Sequence, residues 1–568
     1  MRASARWFPY VALAAIVAAG ALLRLHHLDH GLPYVYHPDE AFHFTSRAMQ
    51  MFGGDLNPHY FQNPSAFTYL VYGVLRVIHG GGPPFDDVSR LLATYRADPS
   101  IAFATGRVIA VVLCMAAVVG VFFVGRRLWS PATGVAAAAV LAFAFLTVAY
   151  SRYALTDTGV LLPVAIAIYA AVRAYEDGRL RWFALAGAAV GLAVGFKYTA
   201  GLVGVPLVAA AALHRPLTWR VVPGLALSGV VALAVFFITT PYFFLELPLA
   251  LDQLGEQSAA ARKAKLGQGE GGPVGYYLGS LGWGFGTLAA IAAAIGVVLE
   301  ARRDPARAFL LALFPLIMFL YLSTAGRHFA RWLMPVYPVL ALLAGVALAQ
   351  AASAISRRPS VRAVALGLLL AVVLAQPLAA DIRTARLFGN DDTRQMTRDH
   401  LLSTLPHNAR VVVEPAVPPR YFDGRLTLGF RAPPRALVSG GTPQRFILAL
   451  EPSRIEAYRR AGYCTVLTFS TVAGRARQDR VKPAMAYYRR LERESRVVFR
   501  ASPYRPGAEA PPFHFDWSTH LFHPAAYVRP GPEIVVRRLD DCEQGVGGRP
   551  AVLAPPPGLP RPDPASLD

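Results

Sequence analysis

The feature that most constrains this chain is a succession of long apolar blocks with almost no charge inside them. A helix needs about 20 apolar residues to cross a bilayer. The blocks at 8–25, 101–124, 132–149, 159–172, 182–196, 199–213, 221–240, 276–299, 308–323, 332–350 and 364–379 approach or reach that length. They predict roughly eleven spans. Only 16% of the 568 residues are charged, too few to coat a soluble protein of this size, against roughly 25% in ordinary soluble domains. The expected class is a polytopic α-helical membrane protein.

The formal net charge of +21 does not point to nucleic acid. Many basic residues fall in short loops between the blocks, and no zinc-finger spacing, basic heptad helix or aromatic RNA-binding motif accompanies them. Arg126 and Arg127, the stretch from Arg173 to Arg181, that from His214 to Arg220, Arg302 to Arg307 and Arg357 to Arg362 share one side if the blocks alternate. By the positive-inside rule that side is cytoplasmic. The N-terminus is then inside, the loop 26–100 outside, and everything after the last span outside. The apolar segment 67–78 is short and interrupted by Arg76, so it is expected to lie in the outer interface.

From about Asp381 the apolar runs shorten. Segments 411–413, 446–450, 465–469, 497–499 and 534–536 read as strands, and 393–402 and 483–495 as helices. The expected organisation is a membrane module at 1–380, an extracytoplasmic α/β domain at 381–549 and a Pro-rich, disordered tail at 550–568. Cys464 and Cys542 both fall in the outer domain, where an oxidising compartment permits a bridge. Their spacing leaves pairing and free thiols equally open.

Several residues carry possible chemistry at the outer membrane–water level. His37-Pro38-Asp39-Glu40 follows the first span. It reads either as a helix start with acids at the positive end of the dipole or as the source of a general base. Asp157, in Ser151–Thr158, either caps the helix after it or joins a site. Lys197 lies between two short apolar blocks, where a lysine can simply snorkel. Arg327, His328 and Arg331 crowd one short outer loop against the positive-inside trend. Phosphate binding would explain them, as would a basic anchor for lipid headgroups.

The motifs "NPHYFQNPSAFTYLVYG" (57–73), "SRYALTDT" (151–158), "GLAVGFKYTAG" (191–201) and "RHFARWLMPVYPVLALLAG" (327–345), with the Asp39-Glu40 pair, resemble membrane glycosyltransferases of the GT-C fold. The nearest group is the dolichyl-phosphate-mannose protein mannosyltransferase-like family, with bacterial aminoarabinose transferases as relatives. "ARVVVEP", "AGYCTVLTFS" and "RPGPEIVVRRL" resemble the C-terminal domain of bacterial members. The chain departs at "NPSAF" (63–67), where many relatives have a Pro-Pro pair.

The resemblance implies transfer of a sugar, mannose by family default, from a polyprenyl phosphate to an acceptor hydroxyl outside the cytoplasm, with inversion. Asp39 is then the expected base, with Glu40 positioning the acceptor or sharing the proton and Asp157 orienting. Lys197, Arg327, His328 and Arg331 are expected to hold the donor phosphate. The expected partners are the bilayer, the lipid-linked sugar donor and a protein, lipid or polysaccharide acceptor. No cofactor is expected beyond that substrate, no metal-ligand set is visible, and divalent-metal use is left open. The competing class is a transporter or flippase of a lipid-linked phosphate. Against it stand charges gathered at one interface rather than the midplane and the lack of an inverted repeat.

Overall fold

The computed structural model describes residues 2–79, 86–214, 221–269, 271–406, 409–418, 421, 443–516 and 523–546. The chain divides into two compact units. The first comprises Met1–Asp29, Asp39–Lys263 and Gly271–Ala385; the second comprises His30–Pro38, Ala264–Glu270 and Arg386–Asp568. The division falls a few residues beyond the expected boundary at 380. The second unit also takes in two short segments that the sequence reading assigned to loops of the membrane module.

The first unit is helical. Among the described residues, eight helices are long and apolar enough to cross a membrane: Trp7–Leu25, Ser100–Leu128, Thr156–Asp177, Val221–Thr239, Gly272–Ala301, Pro305–Ser323, Met334–Ile355 and Pro359–Leu387. The pair Pro131–Ala142 and Phe145–Ser151, bent by 57°, makes a ninth if it is one span. Leu180–Phe196 and Tyr198–Leu213 are shorter apolar helices. The eleven apolar blocks therefore correspond to nine segments of spanning length and two short ones. Ala66–His79, the segment expected at the interface, is a third short apolar helix.

Leu180–Phe196 is placed by its small residues. A Cβ on Gly187 would lie 2.3 Å from the Ser228 carbonyl oxygen, and one on Gly191 would lie 2.3 Å from that of Ala232. The spacing of four puts both glycines on one face, and the backbone of Val221–Thr239 packs directly against it, as small residues allow between membrane helices. This packing fixes the end of Leu180–Phe196, and hence Lys197.

The second unit is built on a four-stranded sheet. Its strands are β1 (Val411–Val413), β2 (Thr465–Phe469), β3 (Ser495–Ala501) and β4 (Ile534–Leu539), in the order β1-β2-β4-β3. β1 and β2 are parallel; β4 runs antiparallel to both of its neighbours. Val412, Val466, Leu467, Tyr458, Tyr487 and Ile534 are buried in the core formed by the sheet and its helices. Helix Thr393–Thr404 covers the expected helix 393–402, and Lys482–Arg493 matches the expected 483–495 except at its end, where Ser495 already opens β3. The run at 446–450 is a correction: Pro443–Leu448 is helical, because a short apolar run does not by itself distinguish a strand from a buried helix segment. Cys464 and Cys542 form a disulfide. The Pro-rich segment 550–568 lies outside the described residues.

Candidate active site

Pro38 opens a five-residue helix, Pro38–Phe42, with Asp39 and Glu40 in its first turn. Successive residues of a helix point about 100° apart, and the two acids have different fates. Glu40 is fully buried. Its Oε1 accepts from Arg107 Nε at 2.7 Å and its Oε2 from Arg107 Nη2 at 2.9 Å. Oε1 also accepts from the Ala154 backbone N–H at 2.8 Å. Arg107 donates a further bond to the Leu28 carbonyl at 2.6 Å. A bidentate pair of this kind is geometrically specific. It joins the end of the first span, the Pro38–Phe42 turn, the helix Ser100–Leu128 and the segment before Asp157.

Asp39 points the other way and stays 30% exposed. Its Oδ2 accepts from Arg331 Nη2 at 2.5 Å, and His43 Nε2 lies 3.6 Å from Oδ1. The His43 ring stacks on Tyr60 with centroids 5.0 Å apart. The Tyr60 phenol is held well above its usual range, chiefly by burial, with the Asp39 charge acting in the same direction. For Arg331, burial opposes the charged form, but Asp39, Tyr150 and Asp157 outweigh it and its pKa is raised.

Asp157 sits in the short turn Thr156–Thr158. Two hydroxyls hold that turn: Thr156 donates to the Phe196 carbonyl at 2.8 Å, and Thr158 to that of Ala110 at 3.1 Å. Lys197 is the residue at which Leu180–Phe196 ends, where the helix dipole favours a cation. Its Nζ donates to Asp157 Oδ1 at 2.7 Å and to the Arg331 carbonyl at 3.2 Å. The result is one chain of contacts from Asp157 through Lys197 and Arg331 to Asp39. Two carboxylates and two cations balance along a chain that is buried at Asp157 and partly exposed at Asp39.

Four of the seven residues singled out from the sequence thus come together: Asp39, Asp157, Lys197 and Arg331. Glu40 faces Arg107 instead. The Arg327 backbone N–H donates to the Ala261 carbonyl at 2.9 Å, and among the described residues no carboxylate pairs with its side chain. His328 is buried, its ring centroid 4.3 Å from that of Tyr276. Sequence reasoning missed Arg107, His43 and Tyr60. Arg107 had a readable signal, since an arginine within an apolar block needs a buried partner. It also missed Arg24, Arg152 and Asp381, all buried. Asp381 feels the charges of both arginines, and Arg152 donates to the Leu23 and His26 carbonyls.

The network has the parts that a group transfer from a phosphate needs: cations that a phosphate can engage and carboxylates that can take a proton. Comparison with known proteins bears on the fold. Residues 102–242 match the family model for dolichyl-phosphate-mannose-protein mannosyltransferase. No curated protein matches this sequence. The solved structure of ArnT from Cupriavidus metallidurans bound to undecaprenyl phosphate is similar over 95% of this chain and 99% of its own, with a TM-score of 0.50 and 16% identity. Its apo form gives a TM-score of 0.51 at 15% identity over 94% and 98%. The apo Archaeoglobus fulgidus oligosaccharyltransferase gives a TM-score of 0.50 at 13% identity over 87% of this chain and 73% of its own. The chain is therefore a multi-pass membrane protein of the GT-C fold, similar across residues 102–242 to the dolichyl-phosphate-mannose-protein mannosyltransferases.

Proposed function

We propose that the protein is an integral membrane glycosyltransferase that moves a sugar from a polyprenyl-phosphate donor to an acceptor hydroxyl on the outer face of the membrane, with inversion. The carrying observation is the linked quartet Asp157–Lys197–Arg331–Asp39, two carboxylates and two cations within one hydrogen-bonded chain. The similarity to ArnT bound to undecaprenyl phosphate supports the donor class. Mannose is the family default for the sugar.

In the proposed reaction the donor phosphate engages Lys197 and Arg331, displacing part of their contacts with Asp157 and Asp39. The acceptor oxygen attacks the anomeric carbon from the face opposite the phosphate. Asp39 takes the acceptor proton as the new C–O bond forms. The bond from the anomeric carbon to the phosphate oxygen breaks, and the electron pair leaves on the phosphate. That leaving group needs positive charge rather than a strong acid, which the lysine and arginine supply. Asp157 orients Lys197. Glu40, through Arg107 and Ala154, holds the turn that presents Asp39. Arg327 and His328 belong to the same loop as Arg331 and stand outside the linked quartet, His328 buried beside Tyr276.

The loop charges support an inside N-terminus, and the Cys464–Cys542 bridge suits an oxidising compartment for the second unit. A reporter active only outside the cytoplasm, fused after Phe388, should give signal, and one fused at Arg303 should not. Transfer itself is tested with a radiolabelled polyprenyl-phosphate mannose in membranes holding the protein. Release of free polyprenyl phosphate with the label on an acceptor is expected. Unchanged donor accompanied by its movement across the bilayer would mark a flippase instead.

A further inference from the structure

The second unit contains a polar cavity of about 540 Å³ that the transferase reading does not use. It lies where β2 ends and the helix Ser470–Gln478 begins, and its wall includes Ser470, Arg477, Arg480, Tyr504, Phe513 and Glu533. Its size falls within the roughly 300–1,000 Å³ of organic-ligand sites and exceeds what a lone ion needs.

The lining is built rather than incidental. The Ser470 backbone N–H donates to the Glu533 carbonyl at 2.9 Å, and the Ser470 hydroxyl accepts from the Glu533 N–H at 3.0 Å. Glu533 is oriented by Arg500 at 3.0 Å. A Cβ at Gly474 would lie 2.4 Å from the Phe513 ring, so the absence of a side chain there lets the ring pack against the helix. Arg477 and Arg480 are exposed on the rim, and among the described residues neither has a carboxylate in ion-pair contact.

Each group narrows the ligand. Two uncompensated guanidinium groups call for an anion. The Glu533 carboxylate is paired with Arg500 through Oε1, and its Oε2 can accept a bond from a polyol. Ser and Tyr hydroxyls both donate and accept, and an aromatic face offers a platform for an apolar ring face. The geometry points to a binding site for an acidic saccharide, a sugar ring bearing a carboxylate or an ester phosphate. The site goes beyond the transferase reading and does not rest on it.

Isothermal titration of the full-length protein in nanodiscs tests this, with trigalacturonate as the acidic probe, maltotriose as its neutral counterpart and inorganic phosphate as the bare anion. Trigalacturonate should bind saturably, and both controls should bind about tenfold or more weakly, the loss expected when a charge-assisted contact is missing. Arg477→Gln with Arg480→Gln should weaken trigalacturonate binding about tenfold or more while thermal melts stay unchanged, because both side chains are exposed. Phe513→Leu should weaken maltotriose and trigalacturonate alike. Absence of saturable trigalacturonate binding, equal affinity for inorganic phosphate, or a double variant that binds as the parent would each overturn the site.

Discussion

Two adjacent acids in one short helix turn use the same kind of ion pair for opposite purposes. At Glu40 the carboxylate and its Arg107 partner are 0% and 2% exposed, and the acid accepts three hydrogen bonds. At Asp39 the exposures are 30% and 17%, and the partner Arg331 lies in a neighbouring loop. A sealed pair has no room to exchange partners. Removing half of it strands a charge, which is strongly destabilising even where the intact pair adds little net stability. A partly open pair is worth little as a brace, yet it can trade one anion for another. Side-chain identity therefore says less about role than the water each pair can reach.

The largest expected effect breaks the sealed side. Glu40→Ala leaves Arg107 buried without its carboxylate and should cost about 3–5 kcal/mol, read as a large fall in melting temperature in detergent. Asp39→Ala in the same assay should lose under ~1 kcal/mol. Equal losses would collapse the contrast between the two acids.

Next comes turnover. Asp39→Asn keeps the size and much of the hydrogen bonding but cannot accept a proton, so sugar transfer should fall about 100-fold or more with donor binding largely retained. A fully active variant would remove Asp39 from the chemistry. A third, smaller effect concerns donor affinity. Lys197→Ala would strand the Asp157 carboxylate, so the informative variant is Lys197→Met with Asp157→Asn. Its affinity for undecaprenyl phosphate should drop about tenfold, the roughly 1.5–3 kcal/mol of one charged contact. Parental affinity would mean that the pair only ties helices together.

The smallest effect extends the comparison to a third acid. Glu414 in the second unit is fully buried but, among the described residues, has no guanidinium in contact; it accepts from Tyr488 and from the Phe469 N–H, each at 2.6 Å. Burial raises its pKa to about 8 from an ordinary 4.5. The folded form then keeps a proton that the unfolded chain releases. Its contribution to stability is complete below about pH 4.5 and declines as pH rises through about 8. Glu414→Gln should change stability by under ~1 kcal/mol in acid and should flatten that decline in chemical denaturation followed against pH.

Much of this was legible in sequence because the bilayer demands long uncharged runs, and loop charge orders them. Asp39, Asp157, Lys197 and Arg331 could be gathered from shared depth alone. Their pairing could not: Lys197 meets a carboxylate 40 residues away, and Arg331 one 292 residues away, separations that only helix packing bridges. Glu40 read as a second catalytic candidate because it stands beside Asp39, and only the Arg107 contact separates the two. The run at 446–450 misread as a strand because short apolar segments carry no decisive period. The glycines that seat Leu180–Phe196 were visible, but not which helix they would meet.

The Cys464–Cys542 bond is separated by 78 residues in sequence and closes the segment between into a covalent ring. Cys464 immediately precedes β2, and its carbonyl accepts from Leu539 N–H at the end of β4, so the ring is clasped at one edge of the central ladder. In the chain-entropy model, such a closure removes about 4.5 kcal/mol of disorder from the unfolded chain. It also means that one protease cut between the two cysteines frees no fragment. On a gel the nicked protein should run intact without reductant and as two pieces with it. Every lining residue of the polar cavity except Gly269 lies inside that ring.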